Sequence, residues 1–187
     1  MNLNIKKKKT HTTTIKNVNN VTFIEYDNLS ALKFIKHGFS TRLGGVSKNH
    51  LSSMNLSYNR GDDPSNVTDN FKRISNAIGF DYKNIVMSMQ THTTNILKVS
   101  SEDRGNGITR KNSLSDIDGF ITNEKDVVLS TFFADCVPVF LADPVSKSIG
   151  LVHSGWRGTT SRIGKCAVNK LGTEYGAKPE NIIVAIG

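Results

Sequence analysis

Cys136 lies in the stretch STFFADCVPVFLAD, residues 130–143, between an aspartate and a Val-Pro pair. A free cysteine ordinarily sits inside an apolar run as a small hydrophobe. Here Asp135 and Pro138 interrupt the run around the sulfur, which marks a turn between two strands. His92 follows the apolar stretch IVMSMQ (85–90), and His153 closes SIGLVH (148–153). Three soft or borderline ligands therefore stand at three strand ends. Strands sharing a sheet edge would let them converge. Thiolate and imidazole are preferred ligands of zinc, and three of them leave a fourth position for water or substrate. Such a metal acidifies water and polarises a substrate oxygen. The separations are 44 positions from His92 to Cys136 and 17 from Cys136 to His153, which is no compact motif. Ordinary satisfied core residues remain the alternative. Of the other histidines, His11 and His50 read as solvated side chains, and His37 as a residue that shapes the loop it opens.

Two glycine-rich segments carry a second kind of chemistry. GLVHSGWRGTT leads from a strand into a helix start through Gly155 and Gly158, so backbone N–H groups can face an anion. Arg157 adds a planar fork for phosphate or carboxylate, and Trp156 a flat wall for a ring. STRLGGVS places Arg42 beside Gly44 and Gly45 as a second anion site of the same design. Tight-turn glycines, surface arginines and a core tryptophan are the plain readings of the same residues.

The elements that must position these groups follow from the apolar pattern. Strands are predicted at residues 21–26, 31–40, 85–90, 95–100, 119–122, 127–134, 137–142 and 148–153, with a last one ending the chain. Asp63 as N-cap, Pro64 in the first turn and Gly79 as the stop bracket a helix that presents Val67, Phe71, Ile74 and Ile78 on one face. A second amphipathic helix carries Ile163, Cys166, Ala167 and Leu171. Strands in consecutive groups with helices between them point to an α+β fold. The chain stops at Ala185-Ile186-Gly187, inside an apolar strand, which reads as an incomplete C-terminus.

The chain has 187 residues, 37% hydrophobic and 21% charged, enough for one domain with a real core. It contains no run near the roughly 18 apolar residues of a membrane helix, and no secretory leader. Two cysteines make no disulfide framework, so a reducing, cytoplasmic setting is expected. The net charge of +8 owes more than half its excess to Lys6, Lys7, Lys8, Lys9 and Lys16. Residues 1–18 are thus expected to form a disordered basic tail, with residues 19–187 as the domain. No nucleic-acid or membrane partner is expected, because no basic face with interleaved aromatics is evident.

Taken together, HGFSTRLGGVS, MNLSYNRGDDPSNVTDNFKRI, QTH, ADCVPVFLAD, GLVHSGWRGT and the terminal AIG resemble the YfiH-type laccase-domain family. Its members are named variously polyphenol oxidases, purine nucleoside phosphorylases and peptidoglycan editing factors. The match runs from about residue 37 to the end, and DC-x-P with H-x-G-W-R-G is its most specific part. The resemblance implies a layered α/β/β/α sandwich with mixed sheets, continuing beyond the AIG in other members. It implies that His92, Cys136 and His153 bind one zinc ion and are catalytic, with copper less favoured. It further implies phosphorolysis of adenosine, inosine, guanosine and methylthioadenosine, with adenosine deamination as a side activity. The sequence does not fix the oligomeric state; a monomer is the expectation. Arg42 and Arg157 would hold the phosphate. Amide hydrolysis of a cell-wall precursor, by the metal or by a Cys136 nucleophile, is the alternative; a copper oxidase is disfavoured because too few other histidines stand in suitable contexts. Thr93 departs from the glycine common after the first histidine, and Phe71 from a position that is often basic.

Overall fold

Asn19 and Asn20 both adopt left-handed backbone, with φ of 51° and 66°, as a two-residue hairpin turn of type I′ demands. They fold Thr13–Val18 (β1) back along Val21–Tyr26 (β2), in antiparallel register from Val18↔Val21 to Thr13↔Tyr26. The computed structural model describes residues 12–187. The expected tail over 1–18 is therefore corrected from Thr13 onward, while its first 11 residues lie outside the described ones. Composition misses this strand because its backbone pairing holds it while its side chains stay outside; Ile15 is 73% exposed.

A one-turn helix, Asp27–Ser30 (α1), follows β2. The strand expected over residues 31–40 shrinks to Phe39–Ser40 (β3), which pairs with β2. Before it the chain runs in turns: Leu32 N–H donates to Leu29 O and Ile35 N–H to Leu32 O. Leu32, Phe34 and Ile35 thereby fold around buried Leu29 and Tyr26. His37 closes this region by accepting the Tyr26 N–H on Nε2 at 2.8 Å, with its ring stacked on Tyr26.

That bond requires a neutral ring. Burial lowers the His37 pKa below its ordinary 6.5, against the opposing charge of Glu25. The folded state thus resists protonation more than the unfolded one. Stability from this group is complete above about pH 6.5 and is lost as the pH falls through the lowered folded value. His37→Gln keeps an acceptor that cannot titrate, so its melting temperature should fall less steeply than wild type on acidification. Parallel curves for the two proteins would remove His37 as the cause.

The helix expected after Asp63 is present as Pro64–Ile78 (α2). Asp63 Oδ1 accepts the Ser65 N–H at 2.8 Å, and Gly79 ends the helix at φ 96°. The remaining strands are Ile85–Val86 (β4), Ile96–Lys98 (β5), Gly119–Thr122 (β6), Val128–Leu129 (β7), Val137–Asp143 (β8), Ser148–Ser154 (β9) and Ile183–Ile186 (β10). The helices Trp156–Thr160 (α3) and Ile163–Tyr175 (α4) follow β9. The strand expected over residues 127–134 survives only as β7. Beyond it the Gln90 side chain substitutes for a neighbouring strand, accepting from Phe132 N–H and donating to Phe132 O.

A five-stranded sheet in the order β10-β8-β9-β6-β5 is mixed: β5 and β6 are parallel, the other pairs antiparallel. On one face, Ile163, Ala167 and Leu171 of α4 pack against Ile121, Val139, Leu141 and Val152. Complete burial of a side chain such as Leu171 is worth about 1.5–3 kcal/mol. On the other face, Phe140, Ala142, Ile149 and Ala185 meet Tyr26 and Leu29. The three-stranded sheet β1-β2-β3 receives α2 on its far side, with Ile74 against Val21, Phe23 and Met54. The layers thus run helix, sheet, sheet, helix, and the fold is α+β, as the sequence led one to expect.

Candidate metal centre and active site

The β8–β9 ladder sets Pro138 opposite His153 and Val137 opposite Ser154. Cys136 therefore enters its strand beside the place where His153 leaves its own. His92 comes from the loop between β4 and β5. The ligand atoms of His92, Cys136 and His153 all lie within 4.8 Å of one another. His153 is buried at 4% exposure, Cys136 is half-buried and His92 is exposed, so the group is anchored at one end and open at the other. The imidazoles meet edge to face with centroids 4.9 Å apart. Gly155 borders them closely: a Cβ there would stand 2.8 Å from His92 Cδ2 and 3.1 Å from the Cys136 sulfur. Only glycine leaves those two side chains where they are.

His92 has φ 67°, the left-handed region, which costs a non-glycine residue about 1–2 kcal/mol. The residue that holds it there is Asp118, fully buried just before β6. Asp118 Oδ1 accepts the His92 N–H at 3.1 Å. Oδ2 accepts the N–H groups of Thr91 at 3.1 Å and Thr93 at 2.8 Å, and the Thr93 hydroxyl at 3.0 Å. Oδ1 is also 2.8 Å from His153 Nδ1. Burial works against the ionised carboxyl, but His153 and the amides of Thr93 and Thr91 outweigh it and lower the Asp118 pKa. Asp116 adds Oδ1 to the Thr91 hydroxyl and Oδ2 to Asn95 Nδ2. Neither acid stands out in the sequence; the only signal is DIDGF, two acids just before a buried strand.

The donor set suits zinc, since one sulfur and two imidazole nitrogens are what that ion prefers. With Nδ1 of His153 committed to Asp118, Nε2 is the nitrogen left for a metal. His92, Cys136 and His153, singled out in the sequence, are thus brought together. The two arginines are not equivalent. Arg42 lines the cleft that reaches His92, Cys136 and His153, but its Nε and Nη2 both donate to Ser52 O, at 2.9 and 2.7 Å. Arg157 and Trp156 lie outside that lining among the described residues; they pair with each other, the guanidinium 5.4 Å from the ring centroid.

In the Gly44–Gly45 segment two of the backbone N–H groups are already committed, which leaves the second anion site fewer donors than its glycines suggest. Gly45 N–H goes to Ser53 Oγ and Val46 N–H to Asn70 Oδ1. The glycines serve close approach instead, a Cβ at 44 falling 2.2 Å from Asn20 O and one at 45 falling 2.0 Å from Ser53 O. The cleft wall next to the histidines is aromatic. Phe133 stands 5.5 Å from the His153 ring and 5.8 Å from Phe39.

A family model described as multi-copper polyphenol oxidoreductase laccase matches residues 36–187. YlmD of Bacillus subtilis, named a purine nucleoside phosphorylase, is 38% identical over 151 residues, which are 80% of this chain and 54% of that protein. The crystal structure of YlmD from Geobacillus stearothermophilus superposes with a TM-score of 0.84 at 32% identity, covering 94% of this chain and 64% of that one. That of Bacillus licheniformis YfiH gives 0.83 at 30% identity, covering 92% and 64%. The chain spans about half the length of the curated relative it matches. Among the described residues no helix is long and apolar enough to cross a membrane.

Proposed function

The chain belongs to the multi-copper polyphenol oxidoreductase laccase family, and on that premise we propose that it is a zinc-dependent purine nucleoside phosphorylase. The observation that carries this reading is the convergence of His92, Cys136 and His153 within 4.8 Å at the edge of an aromatic-walled cleft. The names of its relatives support the substrate class. Adenosine, inosine, guanosine and methylthioadenosine are the proposed nucleosides, with deamination of adenosine as a side activity.

Cys136, His92 and His153, the last through Nε2, would hold a zinc ion, which would supply Lewis acidity next to the substrate. The chain's own residues do the rest. Phe133 and Phe39 offer flat apolar surface on which a purine can lie. Arg42 keeps its third nitrogen for phosphate; Arg157, stacked on Trp156 outside the cleft lining, would have to turn inward to serve as the second phosphate cation. A phosphate oxygen so held forms a bond to the ribose anomeric carbon as the bond to the purine nitrogen breaks. The electron pair leaves with the base, which takes up a proton. Fixing the anion and the nucleoside in one orientation is the main rate advantage such a site provides.

The family's descriptive name points instead to copper and phenol oxidation. Two histidines and a cysteine do occur in single-copper centres. A multicopper enzyme needs a further histidine-rich cluster, and among the described residues His37 is committed to Tyr26 while His50, in a short helical turn, is not part of the three-ligand group. The test is phosphate-dependent release of hypoxanthine from inosine by the zinc-loaded protein, run beside copper-loaded protein with a phenol. Release only with zinc and phosphate is expected. Phenol oxidation without nucleoside cleavage would overturn the proposal.

A further inference from the structure

Two of the three proposed ligands hang on one carboxylate. Asp118 is acceptor-only when ionised, so the His153 Nδ1 it contacts at 2.8 Å must carry the proton. A neutral ring protonated there leaves Nε2 bare. The same Oδ1 takes the His92 N–H, and Oδ2 takes the amides on either side, so three consecutive N–H groups close around one acid. A further backbone bond, His153 N–H to Asp118 O at 2.7 Å, locks β9 to the residue before β6.

We propose that Asp118 is the positioning residue of this centre: one carboxylate sets the tautomer of His153 and the backbone of His92, so that both imidazoles face the Cys136 sulfur. The proposal rests on the metal reading above, but the tautomer it assigns holds without any metal. Such outer partners commonly fix which nitrogen of a ligating histidine is free.

Asp118→Asn reverses the orienting bond to His153 and keeps the bonds to Thr91 and Thr93, while the nitrogen that replaces Oδ1 no longer accepts the His92 N–H. The oxygen of the new amide stays where three donors converge, at the Thr91 and Thr93 amides and the Thr93 hydroxyl. Its NH2 then faces His153 Nδ1 and can only donate. The imidazole proton must move to Nε2, and the lone pair intended for metal disappears. Nitrogen-15 NMR of the metal-free proteins reads the tautomer directly. Wild type should show the proton on Nδ1 of His153 and the Asn variant on Nε2. Cobalt(II) titration, followed by its thiolate charge-transfer band, should show affinity lowered roughly 10–100-fold.

A wild-type His153 protonated on Nε2 overturns the proposal whether or not the variant folds. So does an Asn variant that keeps wild-type cobalt affinity, with or without the tautomer change. Wild type that binds neither zinc nor cobalt removes the metal reading instead, and the tautomer comparison still judges Asp118.

Discussion

Cys136→Ala is expected to leave a folded protein that no longer retains zinc through dialysis and has no measurable nucleoside phosphorolysis. Removing an outer partner of a metal ligand costs roughly 10–100-fold in affinity, and removing the thiolate itself should cost more. The fold should tolerate the change. Cys136 precedes β8, is half-buried, and its place in the chain is secured by the Val137↔Ser154 register rather than by its side chain. Circular dichroism and the melting profile of the metal-free proteins should therefore coincide. What remains in the variant is two imidazoles, one of them exposed, which is a weak chelate for zinc. Metal analysis of the dialysed proteins decides the matter, and zinc at wild-type stoichiometry in the variant would contradict the ligand set. Iodoacetamide adds a second axis. A thiolate committed to zinc is blunted toward alkylation, so wild type should resist labelling until a chelator is added. Rapid labelling of the zinc-replete protein, with loss of an amidase activity, would favour the nucleophile reading.

Cys136 and His153 were legible because each sits where an apolar run ends and the β8–β9 ladder joins those ends. His92 was picked out by the same rule, but the strand before it stops at Val86 and pairs with β7, so the loop carries it to the other two. What the sequence could not display is the carboxylate that orients them. Asp118 is 26 positions from His92 and 35 from His153, and its role exists only once β6 lies beside β9. The α2 helix was readable from end to end, since Asp63, Pro64 and Gly79 act through bonds to their immediate neighbours. Strand lengths were less readable. An apolar run such as residues 127–134 states what is to be buried, but whether it joins a ladder depends on a partner. Here Gln90 takes the partner's place. The β1 hairpin was missed for the opposite reason: its signal was two asparagines, and its strand buries little. The glycine-rich segment at 42–46 was ambiguous because glycine serves anion loops and close packing alike. Only the neighbours, Asn20 and Ser53, tell the two apart.

Asn70→Ala should be among the most damaging single changes outside the metal centre, at about 3–4 kcal/mol of stability. Asn70 is fully buried on α2 and serves the loop from residue 42 to residue 55 from both ends of its amide. Its oxygen accepts the Val46 N–H at 2.8 Å. Its nitrogen donates to Ser47 Oγ and Asn55 O, both at 2.8 Å, and to Ser53 O at 3.3 Å. Truncation takes the partner from the Val46 N–H and the Asn55 carbonyl, while Ser53 O keeps the Ser47 N–H; each such loss is worth about 1–3 kcal/mol. For a chain of this size that lowers the melting temperature by roughly 6–16 °C. Asn70→Asp gives the sign a sharper test. It turns the donor toward two carbonyls into an acceptor, so the folded state favours the protonated acid and raises its pKa above the unfolded value. The variant should therefore approach wild type below about pH 4 and lose stability relative to it as the pH rises through the folded value. The same loop carries Arg42, whose backbone carbonyl takes the N–H groups of Ser53 and Met54. Loosening it should raise the KM for phosphate more than it lowers kcat, in conditions where the Ala variant is still folded. An Asn70→Ala protein with wild-type melting temperature and unchanged KM would mean that the loop is held by its glycine contacts alone.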